Sequence, residues 1–232
     1  MVFYRKNPLV LFIYFFIIAF IIYLLYLWKH QQYKGRGYCN INNEYIYPEQ
    51  YSNFIDYDDC QNIIKTATPL FSESQLVSGG PENIRKSQTA WLPKDDPVVE
   101  KIIRKTCAIT NIPFEHAEKL QVVKYQPGGF YSAHYDASCD DKKECVEFEK
   151  NGGQRIVTLI IYLNDNYEGG DTEFPNLNKK YKLNNGGALL FYSLEKNGNL
   201  CHPLSLHSGT PVKSGEKYIA NVWLREKPYQ VL

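Results

Sequence analysis

Residues 122–136 read VVKYQPGGFYSAHYD. Two short runs rich in β-branched and aromatic residues flank the Gly128-Gly129 pair. This is the pattern of two strands separated by a turn. The second run ends on His134-Tyr135-Asp136. In an extended chain, side chains two apart share a face, so His134 and Asp136 point one way and Tyr135 the other.

The same texture fills the chain on the C-terminal side. The runs LQVVKYQ, FYSAHYD, RIVTLIIYLN, DTEFP, YKL, GALLFYSL, LSLHSG and KYIANVWLRE are short and β-rich, and Gly-Gly pairs at 128–129, 152–153, 169–170 and 186–187 separate several of them. No helical periodicity interrupts them and no internal repeat is evident. On the N-terminal side two helices are expected. One runs from about Asp58, with Cys60, Ile63, Ile64 and Ala67 on its apolar side, and ends before Pro69. The other is capped by Asp96, has Pro97 at its first position, and stops before Pro113. IRKSQTAWL (84–92) reads as extended, and SGGPEN (78–83) as a loop. Two helices followed by about eight strands predict a mainly β fold with flanking helices, a jelly roll buttressed on one sheet. The polar insert 138–153 reads as a loop at the barrel mouth.

The front of the chain is different. From Pro8 to Trp28 there is no charged residue. As a helix, that stretch is about 31 Å long, the thickness of a hydrocarbon core. A cleaved signal peptide is the competing reading, but its apolar region is usually shorter and ends at a small-residue cleavage site. Here the run ends in Leu-Trp-Lys-His. The expected organisation is a tail (1–7), a transmembrane signal anchor (8–28), a tether (29–50) and a catalytic domain (51–230). Basic residues flank both ends of the span, so charge asymmetry does not fix its orientation.

Setting aside Arg5, Lys6 and Lys29 leaves 23 basic and 25 acidic residues. That balance argues against nucleic acid as a partner. The six cysteines include no Cys-x-x-Cys pair, which removes a zinc knuckle or a thioredoxin-like centre. Their number suits a lumenal enzyme better than a cytosolic one. Cys139 and Cys145 can either staple the loop after His-x-Asp or stand as free thiols.

His134 and Asp136 are answered by His207, which lies ten residues before Lys217. Two imidazoles and one carboxylate on one face of a metal leave the opposite face open, the ligand set of non-haem Fe(II) oxygenases. A jelly roll brings distant strands side by side, so the long separation of His207 from the pair is no obstacle. Lys217 can hold the far end of a dicarboxylate co-substrate. A lone His-x-Asp carries little information. His202 shares neither the context nor the face of His207, and is read as structural or surface-exposed. His30 and His116 have no metal-like setting.

VVKYQPGGFYSAHYD (122–136), RIVTLIIYLND (155–165), GGDTEFP (169–175) and HSGTPVKSGEKYIANVWLRE (207–226) together resemble the prolyl 4-hydroxylases, Fe(II)/2-oxoglutarate dioxygenases with a double-stranded β-helix core. The resemblance covers about residues 50–227. The short form with an apolar front is similar to the plant, algal and viral enzymes, so the resemblance allows a virus-encoded source, and the Asn/Ile/Lys/Tyr-rich composition is compatible with an AT-rich genome. The resemblance implies that His134, Asp136 and His207 bind Fe(II), and that Lys217 pairs with the distal carboxylate of 2-oxoglutarate. It places Tyr125 and Thr172 in the co-substrate pocket, with Thr158 and Tyr162 as weaker candidates, and Arg155 and Trp223 near a peptide groove. O2 as second co-substrate and L-ascorbate as reductant follow from the same family. Many relatives carry a cysteine where Thr210 stands here, which leaves Cys201 without an evident partner.

The expected reaction is 4-hydroxylation of peptidyl proline in collagen-like or Pro-rich proteins, in the endoplasmic reticulum or Golgi lumen. Tyr131, Tyr135 and Trp223 can supply part of an aromatic groove for a polyproline II chain. Two other readings stand beside it: a dioxygenase acting on another residue or a small molecule, and a non-catalytic membrane-anchored module. The intact triad with Lys217 argues against the last.

Overall fold

The computed structural model describes residues 23, 45–74, 84–139, 150–194 and 201–230. The expected transmembrane span lies outside them apart from Tyr23, and no helix among the described residues is long and apolar enough to cross a membrane. Most of the insert 138–153 also lies outside them. The folded unit runs from Glu44 to Leu232.

In chain order its elements are β1 (Glu49–Tyr51), α1 (Tyr57–Ala67), β2 (Ser72–Glu73), β3 (Arg85–Lys86), β4 (Gln88–Leu92), α2 (Pro97–Thr110), β5 (Leu120–Tyr125), β6 (Phe130–His134), β7 (Arg155–Tyr162), β8 (Glu168–Gly169), β9 (Thr172–Phe174), β10 (Lys179–Tyr181), β11 (Ala188–Tyr192), β12 (His207–Gly209), β13 (Val212–Ser214) and β14 (Lys217–Arg225). Seven of the eight expected β-rich runs contain strands, and the eighth, YKL (181–183), shares only Tyr181 with β10. The short β8 and β13, which pair only with each other, are additions. β1 straddles the end of the stretch read as tether, and it pairs with β11 at the edge of the larger sheet.

That sheet has the order β1-β11-β7-β14-β5-β4-β2, and it faces a second sheet ordered β10-β9-β12-β6-β3. All the pairings are antiparallel. Strand periodicity divides the larger sheet into two cores. Val157, Leu159 and Ile161 of β7 join Val122, Ala220 and Val222 under the helices. Ile160 and Tyr162 point the other way and meet Val123, Tyr125 and Ile219 between the sheets. The central strands are buried on both faces, so their runs read as nearly continuous hydrophobic sequence.

The helices start where their caps place them. Asp56 accepts from the Asp59 N–H at 2.8 Å. Asp96 accepts from the Val98 and Val99 N–H groups at 2.9 and 3.1 Å. α2 ends at Asn111, whose φ of 57° is the left-handed stop typical of a helix C-terminus. Ile63 and Ala67 of α1, and Val99, Ile102 and Ile103 of α2, are buried against the larger sheet. The helices thereby brace the outer face of that sheet, and the site occupies its inner face.

Candidate active site

β12 runs antiparallel to β6, and its register sets His207 directly opposite His134. The strand β6 ends at His134, two residues earlier than the shared-face argument assumed. Asp136 sits in the bend beyond it and still converges on the same point. The carboxylate Oδ1 is 3.7 Å from His134 Nε2, and Oδ2 is 3.7 Å from His207 Nε2. One ligand atom from each residue falls within 4.8 Å of the others.

Each imidazole is aimed by its other nitrogen. His134 Nδ1 lies 2.8 Å from the Ser132 carbonyl and His207 Nδ1 lies 3.0 Å from the Ser205 carbonyl. An Nδ1–H donating to a carbonyl leaves the Nε2 lone pair for a metal. Tyr131 stacks on the His134 ring at 3.6 Å, and Phe191 packs edge-on to His207. Asp136 Oδ2 accepts from the Thr158 hydroxyl at 2.7 Å and from the Trp223 indole N–H at 3.1 Å.

The electrostatics agree with this donor set. Burial, with His207 beside it, pushes the His134 imidazole down despite the pull of Asp136. Burial raises the Asp136 carboxyl, but His207, His134, Arg155 and the Thr158 hydroxyl outweigh that and hold it below the ordinary carboxylate range. A neutral imidazole facing an ionised carboxylate is the state in which both bind a metal ion. Hard oxygen and borderline nitrogen donors without a thiolate fit Fe(II).

The triad opens on a cavity of about 960 Å³ between the two sheets. Lys217 lines the same space and is 2% exposed. Its Nζ donates to the Gly170 carbonyl at 2.6 Å. Gly170 has a φ of +65°, and a Cβ there would meet Lys217 Cδ at 3.1 Å, so a glycine both makes the turn and admits the lysine. Burial pushes the Lys217 ammonium down to about 8, with Asp171 opposing the shift. Among the described residues no carboxylate forms an ion pair with Lys217, so this buried cation is suited to an anionic ligand.

Tyr125 and Thr172 line the same cavity. Tyr162 donates to Thr172 Oγ1 at 2.7 Å, which leaves the threonine proton available to a carboxylate. Burial raises Tyr125 and Tyr162, so both stay neutral hydroxyls. Thr158 touches the Asp136 carboxylate rather than Lys217 or Thr172.

Arg155 and Trp223 also face the cavity. The Arg155 guanidinium lies 3.6 Å over the Trp223 ring and pairs with both carboxylate oxygens of Glu118, at 2.5 and 2.9 Å. Glu118 is 3% exposed and also accepts from Arg225 at 2.8 Å. Sequence reading passed over Glu118 because a single acid before a strand carries no sign of burial.

Three further expectations are corrected or sharpened. Cys139 is bonded to Cys201, not Cys145. The bridge joins the segment three residues after Asp136 to the segment six before His207, a pairing that linear distance hides. Cys39 and Cys145 lie outside the described residues, and Cys60 and Cys107 are free thiols. His202 is structural: it is buried, stacks on Tyr45 at 4.5 Å, and accepts from the Leu204 N–H. His116 faces the Arg225 carbonyl through Nδ1 at 2.8 Å.

Residues 120–225 match the model of the 2OG-Fe(II) oxygenase superfamily. A protein of Acanthamoeba polyphaga mimivirus named for prolyl 4-hydroxylation is 48% identical over 193 residues, covering 83% of this chain and 80% of that one. Prolyl 4-hydroxylase 5 of Arabidopsis thaliana is 34% identical over 206 residues, covering 78% and 69%. The crystal structure of a viral collagen prolyl hydroxylase from Paramecium Bursaria Chlorella virus-1, in complex with 2OG, superimposes with a TM-score of 0.63 at 33% identity, covering 81% of this chain and 98% of that one. The converging triad, the buried lysine lining the same cavity and these likenesses place the chain in the prolyl 4-hydroxylase family of the 2OG-Fe(II) oxygenases.

Proposed function

We propose that this chain hydroxylates proline at the 4-position in Pro-rich or collagen-like polypeptides, with 2-oxoglutarate converted to succinate and CO2. The observation that carries the reading is one cavity lined by both a converging His-Asp-His cluster and a buried lysine. His134, Asp136 and His207 would hold Fe(II), which would supply the O2-activating chemistry for hydroxylation of a C–H bond.

The protein's own groups do the positioning. Lys217 takes the distal carboxylate of 2-oxoglutarate in a charge-assisted bond, with Thr172 and Tyr125 as hydroxyl partners. Fixing that end sets the keto acid's orientation before the reaction begins. Thr158 and Trp223 hold one oxygen of Asp136, which fixes the direction of the carboxylate. The sheets bury the site and keep water from the oxidising centre. Arg155 and Trp223 form a polar-aromatic wall suited to an extended peptide, whose prolines present carbonyls but no N–H.

L-Ascorbate serves to return the metal to Fe(II) after turnovers without substrate. Residues 8–28 anchor the chain, and the catalytic unit faces the endoplasmic reticulum or Golgi lumen. The uncharged front supports the anchor, and the Cys139–Cys201 bridge supports an oxidising compartment.

The test uses the full chain in detergent with Fe(II), ascorbate, 2-oxoglutarate and Pro-rich peptides. Succinate release and a peptide mass gain of about 16 Da, one oxygen atom, are read together, with His134→Ala as control. A gain mapped to proline C4 supports the reading. Succinate without peptide oxidation moves the substrate elsewhere.

A further inference from the structure

Trp91 is a large aromatic residue that neither the triad nor the co-substrate end uses. Strand pairing fixes its direction. Trp91 of β4 lies opposite Gln121 of β5, Gln121 opposite Asn221 of β14, and Asn221 opposite Ile160 of β7. Residues paired across strands share a face, and all four line the cavity. Trp91 is therefore on the same inner face as Trp223 and Lys217, not on the helix side.

The two indoles differ in cover. Trp223 is 5% exposed, with Arg155 over its ring and its N–H on Asp136. Trp91 is 44% exposed although it faces the cavity. The ring centroids are 6.0 Å apart and the planes are inclined at 43°. The wall thus runs unbroken from the metal-binding carboxylate through Trp223 to Trp91 at the rim. Between them Asn221 donates to Gln121 at 2.9 Å, so the neighbouring amides are engaged with each other.

A polyproline II chain rises about 3.1 Å per residue. A separation of 6.0 Å therefore corresponds to about two residues of such a ligand. Pyrrolidine rings are apolar and rigid, and they dock on exposed aromatic faces at little entropic cost. We propose that Trp91 is a specificity-determining platform that binds a prolyl ring flanking the proline being hydroxylated. It makes the enzyme favour extended Pro-rich stretches over isolated prolines. This rests on the peptidyl-proline reading of the site.

The experiment compares wild type, Trp91→Ala and Trp91→Phe as full-length, iron-loaded enzyme. Two peptides are used, a short one of about four residues with a single proline and a long Pro-rich one of about fifteen, so that only the longer offers a second prolyl ring to Trp91. For the long peptide, Trp91→Ala raises KM about 3- to 10-fold with kcat retained, the size expected for one lost aromatic contact. Trp91→Phe recovers most of that loss. KM for the short peptide and for 2-oxoglutarate moves less than about 2-fold, since neither relies on this contact. An unchanged KM for the long peptide in Trp91→Ala overturns the proposal while leaving the hydroxylase reading intact. So does an equal loss on both peptides or a shifted KM for 2-oxoglutarate, because either marks a structural role. Succinate release with no oxidation of either peptide by wild type overturns both readings together.

Discussion

The Trp223 indole N–H reaches Asp136 Oδ2 at 3.1 Å, so a residue near the C-terminal end of β14 steers a carboxylate that lies 87 positions earlier. The Thr158 hydroxyl donates to the same oxygen at 2.7 Å. Such partners of a ligand are worth about 10- to 100-fold in metal affinity. Thr158→Val should weaken Fe(II) or Co(II) binding by that order with the fold retained. Titration of the metal against apoprotein checks this, and undiminished affinity would remove Thr158 from the ligand's support.

Lys217 should govern the affinity for 2-oxoglutarate. Lys217→Ala removes a charge-assisted bond worth about 1.5–3 kcal/mol, and kcat/KM for 2-oxoglutarate should fall by about 10- to 150-fold. KM for peptide should change far less. An equal loss for both substrates would point instead to a collapsed site.

The same lysine predicts a pH limb. Burial holds the ammonium at about 8, and only the protonated form attracts the distal carboxylate. Apparent kcat/KM for 2-oxoglutarate should therefore decline as pH rises through about 8 in the free enzyme. Bound dicarboxylate stabilises the charged form, so the limb in kcat should lie higher. A profile flat to pH 10 would show that Lys217 keeps its proton in the empty site.

Glu118 bridges the guanidinium groups of Arg155 and Arg225. Glu118→Gln leaves two buried cations without their shared anion. Breaking a buried pair on one side costs about 3–5 kcal/mol. Chemical denaturation should show a loss of that order, accompanied by a raised KM for peptide as Arg155 loses its anchor. Stability within about 0.5 kcal/mol of wild type would mean that solvent reaches the cluster freely.

The Cys139–Cys201 bridge closes a sequence separation of 62 residues. Bridges over such loops stabilise small domains by about 2–4 kcal/mol. Cys201→Ser should lower Tm, and a reductant should reproduce the effect in wild type but not in the variant. The bridge also ties together the two segments that carry Asp136 and His207, so metal affinity should fall with it. A Tm insensitive to reductant in wild type would exclude the stabilising role.

Local chemistry made much of this architecture readable in one dimension. Asp96 and Pro97 announce α2, Gly-Gly pairs separate several of the strands, and His134-x-Asp136 with His207 and Lys217 states the site in residue types whose spacing has few other uses. These features act over a few residues, or through side chains whose chemistry is specific in itself. Cys139 with Cys201, Glu118 between two arginines, and Trp91 on the cavity face depend on which strands become neighbours. β4, β5, β14 and β7 lie side by side although their sequence order is 4, 5, 7, 14. A residue's burial, charge partner and facing direction follow from that order and register. Long-range pairing is decided by the summed packing of two cores, which no short window of sequence contains.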